Sequence, residues 1–316
     1  MVTALFVDII DSTELGQNLD PEEVRAIIDP VLGLMIDAVR RYDGYVVQST
    51  GDGIFAVFGA PVAREDHPQR SLYSAMRMQD EIRRYSARLR AEGRPPIQIR
   101  AGANTGEVVV RTIATGAGHT EYTPIGHTIN LASRLQSLAN AGSTVISDST
   151  RTLVEGYFAL RPLGQAQVKG ISELINVHEV VGLGPLRTRL QRSAGRGLSK
   201  FVGRTKERET LKRAAARAKS GAGQVVAVVA EPGIGKSRLF FEFKAEVESE
   251  WTVLEAFSVS HGKGSAYLPI VDLLHSYFEI VGVDSVHARR EKVTAKIRVL
   301  DPNLENGLPY LHALLE

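Results

Sequence analysis

The chain contains no cysteine, which excludes disulfide bonds and thiolate metal sites. A protein without disulfides is typical of a reducing compartment, so we expect a cytoplasmic location. No apolar run approaches the roughly 18 residues that a membrane-spanning helix needs, and no cleavable signal follows the amino terminus. We therefore expect no membrane partner.

An excess of charge of one sign is also absent, since 38 basic residues nearly balance 36 acidic ones and leave a formal net charge of +2. This balance gives no indication of a nucleic-acid partner. The eight histidines lack metal-ligand spacing. A hydrophobic fraction of 43% allows ordinary globular cores, and the length of 316 residues predicts two domains.

A carboxylate stands near the end of the first predicted strand. The segment VTALFVDI (2–9) is a short apolar run with β-branched residues, which predicts a buried strand. Asp8 is the first charge in this run, and a buried carboxylate costs free energy unless it is paired or binds a metal. The alternative is that Asp8 only caps the segment that follows.

A second carboxylate, Asp52, lies between two β-rich runs, YVVQST (45–50) and IFAVFG (54–59). The junction Gly51-Asp52-Gly53 predicts a hairpin, because these residues tolerate positive φ. A simple turn residue would also explain Asp52. If the hairpin tip lies beside the end of the first strand, the two carboxylates form a site that suits two Mg²⁺ ions and substrate phosphates.

A polar pair, Asn130 and Arg134, lies four residues apart in a predicted helix and therefore shares one helix face. A solvated surface is the simpler interpretation of such a pair. An Arg guanidinium presented by a packed helix also suits bidentate binding of a phosphate. The predicted apolar face consists of Ile129, Leu131, Ala132, Leu135 and Leu138.

Together these stretches resemble the catalytic domain of class III adenylate and guanylate cyclases. The VDI strand, the GDG hairpin and the Asn and Arg after an Ile-Gly turn match in order and spacing, and ANTGEVVV (103–110) is similar to the family's INTG-type segment. The resemblance covers residues 1–182. It implies an α+β domain with a ferredoxin-like antiparallel sheet and helices, which converts a nucleoside triphosphate to a cyclic nucleotide and pyrophosphate.

The resemblance also implies a role for each residue. Asp8, the Ile9 carbonyl and Asp52 would hold two Mg²⁺ or Mn²⁺ ions. Arg134 would stabilise charge on the α-phosphate, and Asn130 would orient the ribose. In this family the metal-binding residues and the Asn/Arg pair come from different subunits, so a homodimer with two shared sites is implied.

Two positions depart from the family pattern of base recognition. Gln48 stands at the position that we assign to the adenine-reading Lys, and His127 at the position that we assign to its Asp partner. A Gln amide and a neutral His can each donate or accept a hydrogen bond, so this pair leaves both ATP and GTP open. We expect ATP as the substrate. The rival hypothesis is a nucleotide-binding regulatory module with weak turnover or none.

A second domain is predicted at 200–316, after a linker at 183–199 that is rich in Gly, Pro and Arg. An expected strand at 224–230 precedes AEPGIGKS (230–237), which predicts a phosphate-binding loop that takes ATP. FVGR (201–204) followed by EPGIGKSRL is similar to AAA-type or STAND-type ATPase modules, which implies the start of an α/β P-loop domain. The loop residues are Ala230, in place of the usual first Gly, with Gly233, Gly235, Lys236 and Ser237.

Hydrolysis at this loop would need a later strand that ends in an acidic residue. Asp272 and Asp284 are the candidates, and neither follows a clear strand. The roughly 80 residues after the loop are few for such a core, so we expect its amino-terminal part and nucleotide binding without hydrolysis. A third hypothesis makes the P-loop a nucleotide switch in a signalling scaffold with vestigial cyclase activity.

The remaining expectations concern the order of elements in the first domain. Asp20 is expected to cap a helix that has Pro21 in its first turn. The predicted elements are helices at 21–42 and 64–92, paired strands at 97–105 and 107–111, a polar arm at 112–123, and strands at 144–147 and 175–181.

Overall fold

The computed structural model divides into two units, one formed mainly by Met1–Pro185 and the other mainly by Leu186–Phe257, Tyr267–Ile280 and Ala288–Glu316. The residues that it describes are 1–12, 20–114, 120–168, 174–184, 186, 188–195, 197–231, 233–257, 267–281 and 284–315.

A seven-stranded sheet organises the first unit. Its strands are β1 (Val2–Ile9), β2 (Tyr45–Ser49), β3 (Gly53–Phe58), β4 (Ile99–Gly106), β7 (Thr144–Ser147), β8 (Phe158–Ala166) and β9 (Ile175–Leu183). Their order across the sheet is β2-β3-β1-β4-β7-β9-β8. Only the β4–β7 pair is parallel, so the described sheet is mixed and mostly antiparallel. A separate two-stranded ribbon pairs β5 (Val109–Ala114) with β6 (Thr120–Ile125).

Helices cover both faces of this sheet. They are α1 (Pro21–Arg41), α2 (His67–Ala91), α3 (His127–Leu138) and α4 (Asp148–Val154). Alternate side chains of β1 explain the two layers: Leu5 and Val7 join the core that contains α1 and α2, whereas Ala4 packs with Ala132 of α3. Because both faces of β1 are buried, its sequence is a continuous apolar run and does not alternate between apolar and polar residues.

Helix α3 lies unusually close to β4. A Cβ atom on Gly102 would lie 2.0 Å from the main-chain nitrogen of Gln136, so only glycine permits this approach. The helix backbone therefore rests directly on the strand, and its position relative to the sheet is fixed by main-chain packing.

Several predicted elements are confirmed, and one predicted pairing is wrong. The hairpin of β2 and β3 forms, and α1 begins at Pro21 with Asp20 as its N-cap residue, although the Asp20 side chain makes no capping hydrogen bond. The predicted pairing of 97–105 with 107–111 does not form. Strand β4 has β1 on one edge and β7 on the other, so no edge is left for β5, which pairs with β6 instead.

In the described residues of the second unit, all regular secondary structure is helical. Its helices are α5 (Arg189–Ala194), α6 (Thr205–Lys219), α7 (Lys236–Val247), α8 (Leu268–Tyr277), α9 (Val286–Leu300) and α10 (Leu308–Leu315), with a 3₁₀ helix at Pro302–Gly307. The expected linker includes α5, because Thr188 and Gln191 form a capping box that satisfies its first turn.

The strand predicted at 224–230 is not formed. A strand requires a neighbour to complete its ladder of hydrogen bonds, and the described residues of this unit contain no other strand. Val225 is 100% exposed and Val229 is 93% exposed, so this apolar segment lies unpaired. None of the described helices has both the length and the apolar composition needed to cross a bilayer.

Candidate active site

The end of β1 and the tip of the β2–β3 hairpin bring Asp8 and Asp52 together. Asp8 pairs with Gly53 in the antiparallel ladder, and the Ile9 amide donates a hydrogen bond to the Asp52 carbonyl at 3.0 Å. A Cβ atom on Gly53 would lie 2.4 Å from the Val7 carbonyl oxygen, so glycine is needed for this close approach. The two carboxylates thus lie close together.

Electrostatics at this site favour a bound cation. Burial, and then the negative charge of Asp52, raise the pKa of the Asp8 carboxyl, while Arg100 and Gln136 oppose this rise. The Ser12 hydroxyl donates to Oδ2 of Asp52 at 2.6 Å, which orients that carboxylate. A cation between the two carboxylates would offset the charge of Asp52 and favour the ionised form of Asp8.

The donor set suits hard divalent ions. Asp8 and Asp52 offer carboxylate oxygens and Ile9 offers a carbonyl, which are ligands that Mg²⁺ and Mn²⁺ accept. In the part of the chain that the structure describes, no cluster of three or more His, Cys, Asp or Glu side chains could hold a metal. An ion at this site would therefore complete its shell with water and substrate phosphates.

Two contacts to Asp8 were missed by the sequence predictions. Arg100 lies opposite Asp8 in the β1–β4 ladder, and its Nη2 is 3.3 Å from Oδ2 of Asp8. Gln136 of α3 donates from Nε2 to the same oxygen at 3.2 Å. The available signal for Arg100 was its place as the single charge in β4, as Asp8 is in β1. No local signal pointed to Gln136.

Asn130 and Arg134 lie on the exposed face of α3. The opposite face buries Leu131, Ala132 and Leu135 against the sheet. Neither polar side chain makes a hydrogen bond or an ion pair with any residue that the structure describes. A single chain therefore supplies no contact between this pair and the two carboxylates.

The residues assigned to base recognition are both exposed. Gln48 lies on β2 opposite Phe55, beside a bulge in the β2–β3 ladder. His127 is the first residue of α3. The structure shows no contact between these two side chains, so their joint role stays a prediction.

The predicted phosphate-binding loop leads directly into α7. Gly233 and Gly235 have φ angles of +83° and +95°, which place the loop amides in a conformation that favours glycine. The Lys236 ammonium donates to the carbonyls of Ala230 at 2.6 Å and Glu231 at 2.8 Å, so its charge lies inside the loop. Ser237 follows, exposed, in the first turn of α7.

The FVGR segment packs against this loop. The guanidinium groups of Arg208 and Arg238 lie over the Phe201 ring, at 5.9 and 5.5 Å from its centroid. Arg204 donates to the Ile234 carbonyl in the loop at 3.0 Å. Asp272 lies within α8 and does not end a strand, in agreement with its rejection as a hydrolytic acid.

Comparison with known families assigns both parts of the chain. The adenylate and guanylate cyclase catalytic domain matches residues 1–181, and the AAA ATPase domain matches residues 200–306. Adenylate cyclase 1 of Rhizobium meliloti (strain 1021) is 34% identical over 184 residues, which are 58% of this chain and 28% of that protein. The chain therefore spans little more than a quarter of that relative's length.

Solved structures show the same fold for the first part. The adenylyl cyclase CyaB from P. aeruginosa superimposes with a TM-score of 0.54 at 29% identity, covering 60% of this chain and 94% of that one. The guanylate cyclase domain of RhGC from Catenaria anguillulae, solved in complex with GTP, gives a TM-score of 0.51 at 28% identity, covering 57% and 94%. The chain belongs to the class III adenylate and guanylate cyclase family through residues 1–181, and it carries an AAA ATPase domain at residues 200–306.

Proposed function

We propose that residues 1–182 convert a purine nucleoside triphosphate, ATP in preference to GTP, to the 3′,5′-cyclic nucleotide and pyrophosphate at a homodimer interface. The observation that carries this proposal is the division of the site within one chain. Asp8 and Asp52 adjoin each other at the end of β1, whereas Asn130 and Arg134 lie without a described partner on the exposed face of α3.

In the reaction, the ribose 3′-oxygen forms a bond to the α-phosphorus. The bond from that phosphorus to the bridging oxygen breaks, pyrophosphate leaves with the electron pair, and the hydroxyl proton passes to solvent. Two Mg²⁺ or Mn²⁺ ions, when bound, supply charge neutralisation at the phosphates and a more acidic hydroxyl. Asp8 and Asp52 would hold these ions, with the Ile9 carbonyl as a further ligand.

The other half of the chemistry is positioning. Asn130 would donate to the ribose and fix its orientation, and the Arg134 guanidinium would bind the oxygens of the α-phosphate, on which charge increases in the transition state. In a homodimer related by a two-fold axis, the exposed face of α3 of each protomer can meet the carboxylates of its partner. Two equivalent sites result.

The test is direct detection of the product. Purified protein is incubated with Mn²⁺ and either ATP or GTP, and the nucleotide is identified by mass spectrometry. We expect cyclic AMP from ATP, with less cyclic GMP from GTP. If neither forms while nucleotide remains bound, the second candidate replaces the first: a regulatory module, which is favoured by the exposure of Gln48 and His127 and by their lack of hydrogen bonds to described residues.

Substitution of the base-reading positions is expected to sharpen the preference for adenine. In Gln48→Lys with His127→Asp, an ammonium and a carboxylate replace two groups that can each donate or accept, so the wrong base leaves a polar group unpaired. We expect the ATP/GTP ratio of kcat/KM to rise roughly 10-fold or more. An unchanged ATP/GTP ratio in the double variant would contradict the assignment of both positions to base recognition. If Gln48→Lys alone gives the full effect, His127 has no part in base recognition.

For the second domain we propose that ATP binds at the loop from Ala230 to Ser237 without hydrolysis. Lys236→Ala is expected to weaken ATP binding there roughly 10- to 100-fold, since one charge-assisted contact to a phosphate is lost. Binding is measured with a fluorescent ATP analogue. Lys244→Ala, on the same helix and paired with Glu255, is the matched control and should bind as the unchanged protein does. Equal affinity in the two variants would contradict the proposal.

A further inference from the structure

We propose that Gln136 is a positioning residue that connects α3 to the metal-binding carboxylate of its own protomer, so that it serves both active sites of the dimer in different ways. The inference rests on the function proposed above. Its basis is the hydrogen bond from Nε2 of Gln136 to Oδ2 of Asp8 at 3.2 Å.

The Gln136 side chain is held rigidly. Gln136 is 8% exposed, and its main-chain nitrogen lies 2.0 Å from the position that a Cβ atom on Gly102 would take. The helix and the strand are thus in close main-chain contact here, and the amide reaches Asp8 from this packed position. A carboxylate that is oriented in this way loses less conformational entropy when a cation binds.

Arg100 contacts the same carboxylate oxygen but cannot have the same role. Its guanidinium is a permanent positive charge, so it and a divalent cation compete for Asp8. The Gln136 amide is neutral and donates one hydrogen bond to Asp8. A cation bound at the remaining lone pairs of the Asp8 carboxylate does not repel this neutral group. The bond from Gln136 is therefore the one that can persist in a metal-loaded site.

A second anchor fixes the other end of α3. Asn104 of β4 is 3% exposed and donates from Nδ2 to the Thr128 carbonyl at 3.0 Å. The Thr128 hydroxyl donates to the Glu107 carbonyl at 2.6 Å. The first turn of the helix is thus bound to the end of β4, and its last turn is bound to β1 through Gln136.

Asn130 and Arg134 lie between these two anchors, on a different face of the helix. Gln136 follows Arg134 by two residues, a spacing that points the two side chains in different directions. In the proposed dimer, the buried face of α3 serves the carboxylates of its own protomer and the exposed face serves the partner's site. Loss of Gln136 should therefore lower metal affinity at one site and catalytic rate at the other.

A dimer with one intact site separates these effects. One protomer carries Asp52→Asn and donates only its Asn130 and Arg134, while the other carries Arg134→Ala and donates only its carboxylates. Two affinity tags isolate the mixed dimer. Gln136→Met, which keeps the length of the side chain and removes the donor, is then placed on either protomer, with Gln136→Ala as a second variant should the first not fold.

On the protomer that donates the carboxylates, the change is expected to weaken Mn²⁺ binding about 10-fold or more, as measured by electron paramagnetic resonance. On the other protomer, we expect kcat to fall about 10-fold with KM and Mn²⁺ affinity unchanged. Gln79→Met is the matched control, since Gln79 donates to the carbonyls of Ile99 and Ser143 from α2, and it should show no dependence on placement.

Equal effects from both placements, or an effect from one placement only, would overturn the dual role of Gln136. The mixed dimer with Gln136 unchanged tests the proposed function independently of the role of Gln136. If that dimer forms no cyclic nucleotide, the shared site is wrong. Mn²⁺ binding by the unmixed Gln136→Met protein then still tests the contact with Asp8, and unchanged binding would overturn it.

Discussion

Asp52→Asn is expected to abolish cyclic-nucleotide formation while the protein remains folded. Asn preserves the size of the side chain and can still accept the Ser12 hydrogen bond through its amide oxygen. It removes one of the two carboxylates proposed to hold a divalent cation, and with it one negative charge. Loss of several kcal/mol of charge stabilisation corresponds to a decrease in kcat of roughly 10³-fold or more.

The same substitution should not reduce stability. The charge of Asp52 contributes to the raised pKa of the Asp8 carboxyl, so the two ionised groups repel each other in the folded protein. Removal of one charge lowers that pKa toward its ordinary value and removes the repulsion at neutral pH. Without added metal, we therefore expect the melting temperature to be equal or higher.

Three measurements test this prediction: cyclic-nucleotide product, Mn²⁺ binding and thermal melting. Asp37→Asn, which changes an exposed acid on α1, is the control and should retain turnover and metal binding. If Asp52→Asn retains turnover within a few-fold of the unchanged protein, Asp52 does not bind the metal and is only a turn residue of the hairpin.

The sequence predicts those features of this site that arise from residues close together in the chain. The pairing of Asp8 with the hairpin tip follows from short-range features, namely a strand that ends in a charge and a Gly-Asp-Gly junction between two β-rich runs. The polar pair on α3 follows from helical spacing. Local patterns of this kind place each functional group on an element and give the direction of its side chain.

Contacts that depend on strand order had no such signal. The hydrogen bond from Gln136 to Asp8 joins residues 128 positions apart, and it exists because α3 packs on β4 while β4 pairs with β1. The wrong pairing of β4 with β5 has the same origin, since sequence proximity says nothing about which edges of a strand are already occupied. In the second unit, the apolar run at 224–230 shows that β propensity does not form a strand without a neighbour.

Arg134→Ala is expected to decrease kcat by roughly 10²- to 10³-fold while Mn²⁺ binding is unchanged. The Arg134 side chain is exposed and makes no hydrogen bond or ion pair with a described residue of its own chain, so its removal should cost little stability. The proposed contact of Arg134 strengthens as charge increases on the α-phosphate in the transition state. Its removal should therefore lower kcat more than it changes KM. Arg84→Ala, an exposed arginine of α2, is the control for loss of one positive charge.

Mixing Arg134→Ala with Asp52→Asn then tests where the arginine acts. If each site takes its carboxylates from one protomer and its Arg134 from the other, random exchange gives mixed dimers in half of the population, each with one intact site. The mixture should recover about one quarter of the activity of the unchanged protein. If Arg134 instead acted on the carboxylates of its own chain, every site would still carry one defect and no activity would return. Recovery can therefore arise only from a site that two protomers share, whereas its absence in dimers shown to have exchanged would contradict the homodimeric mechanism.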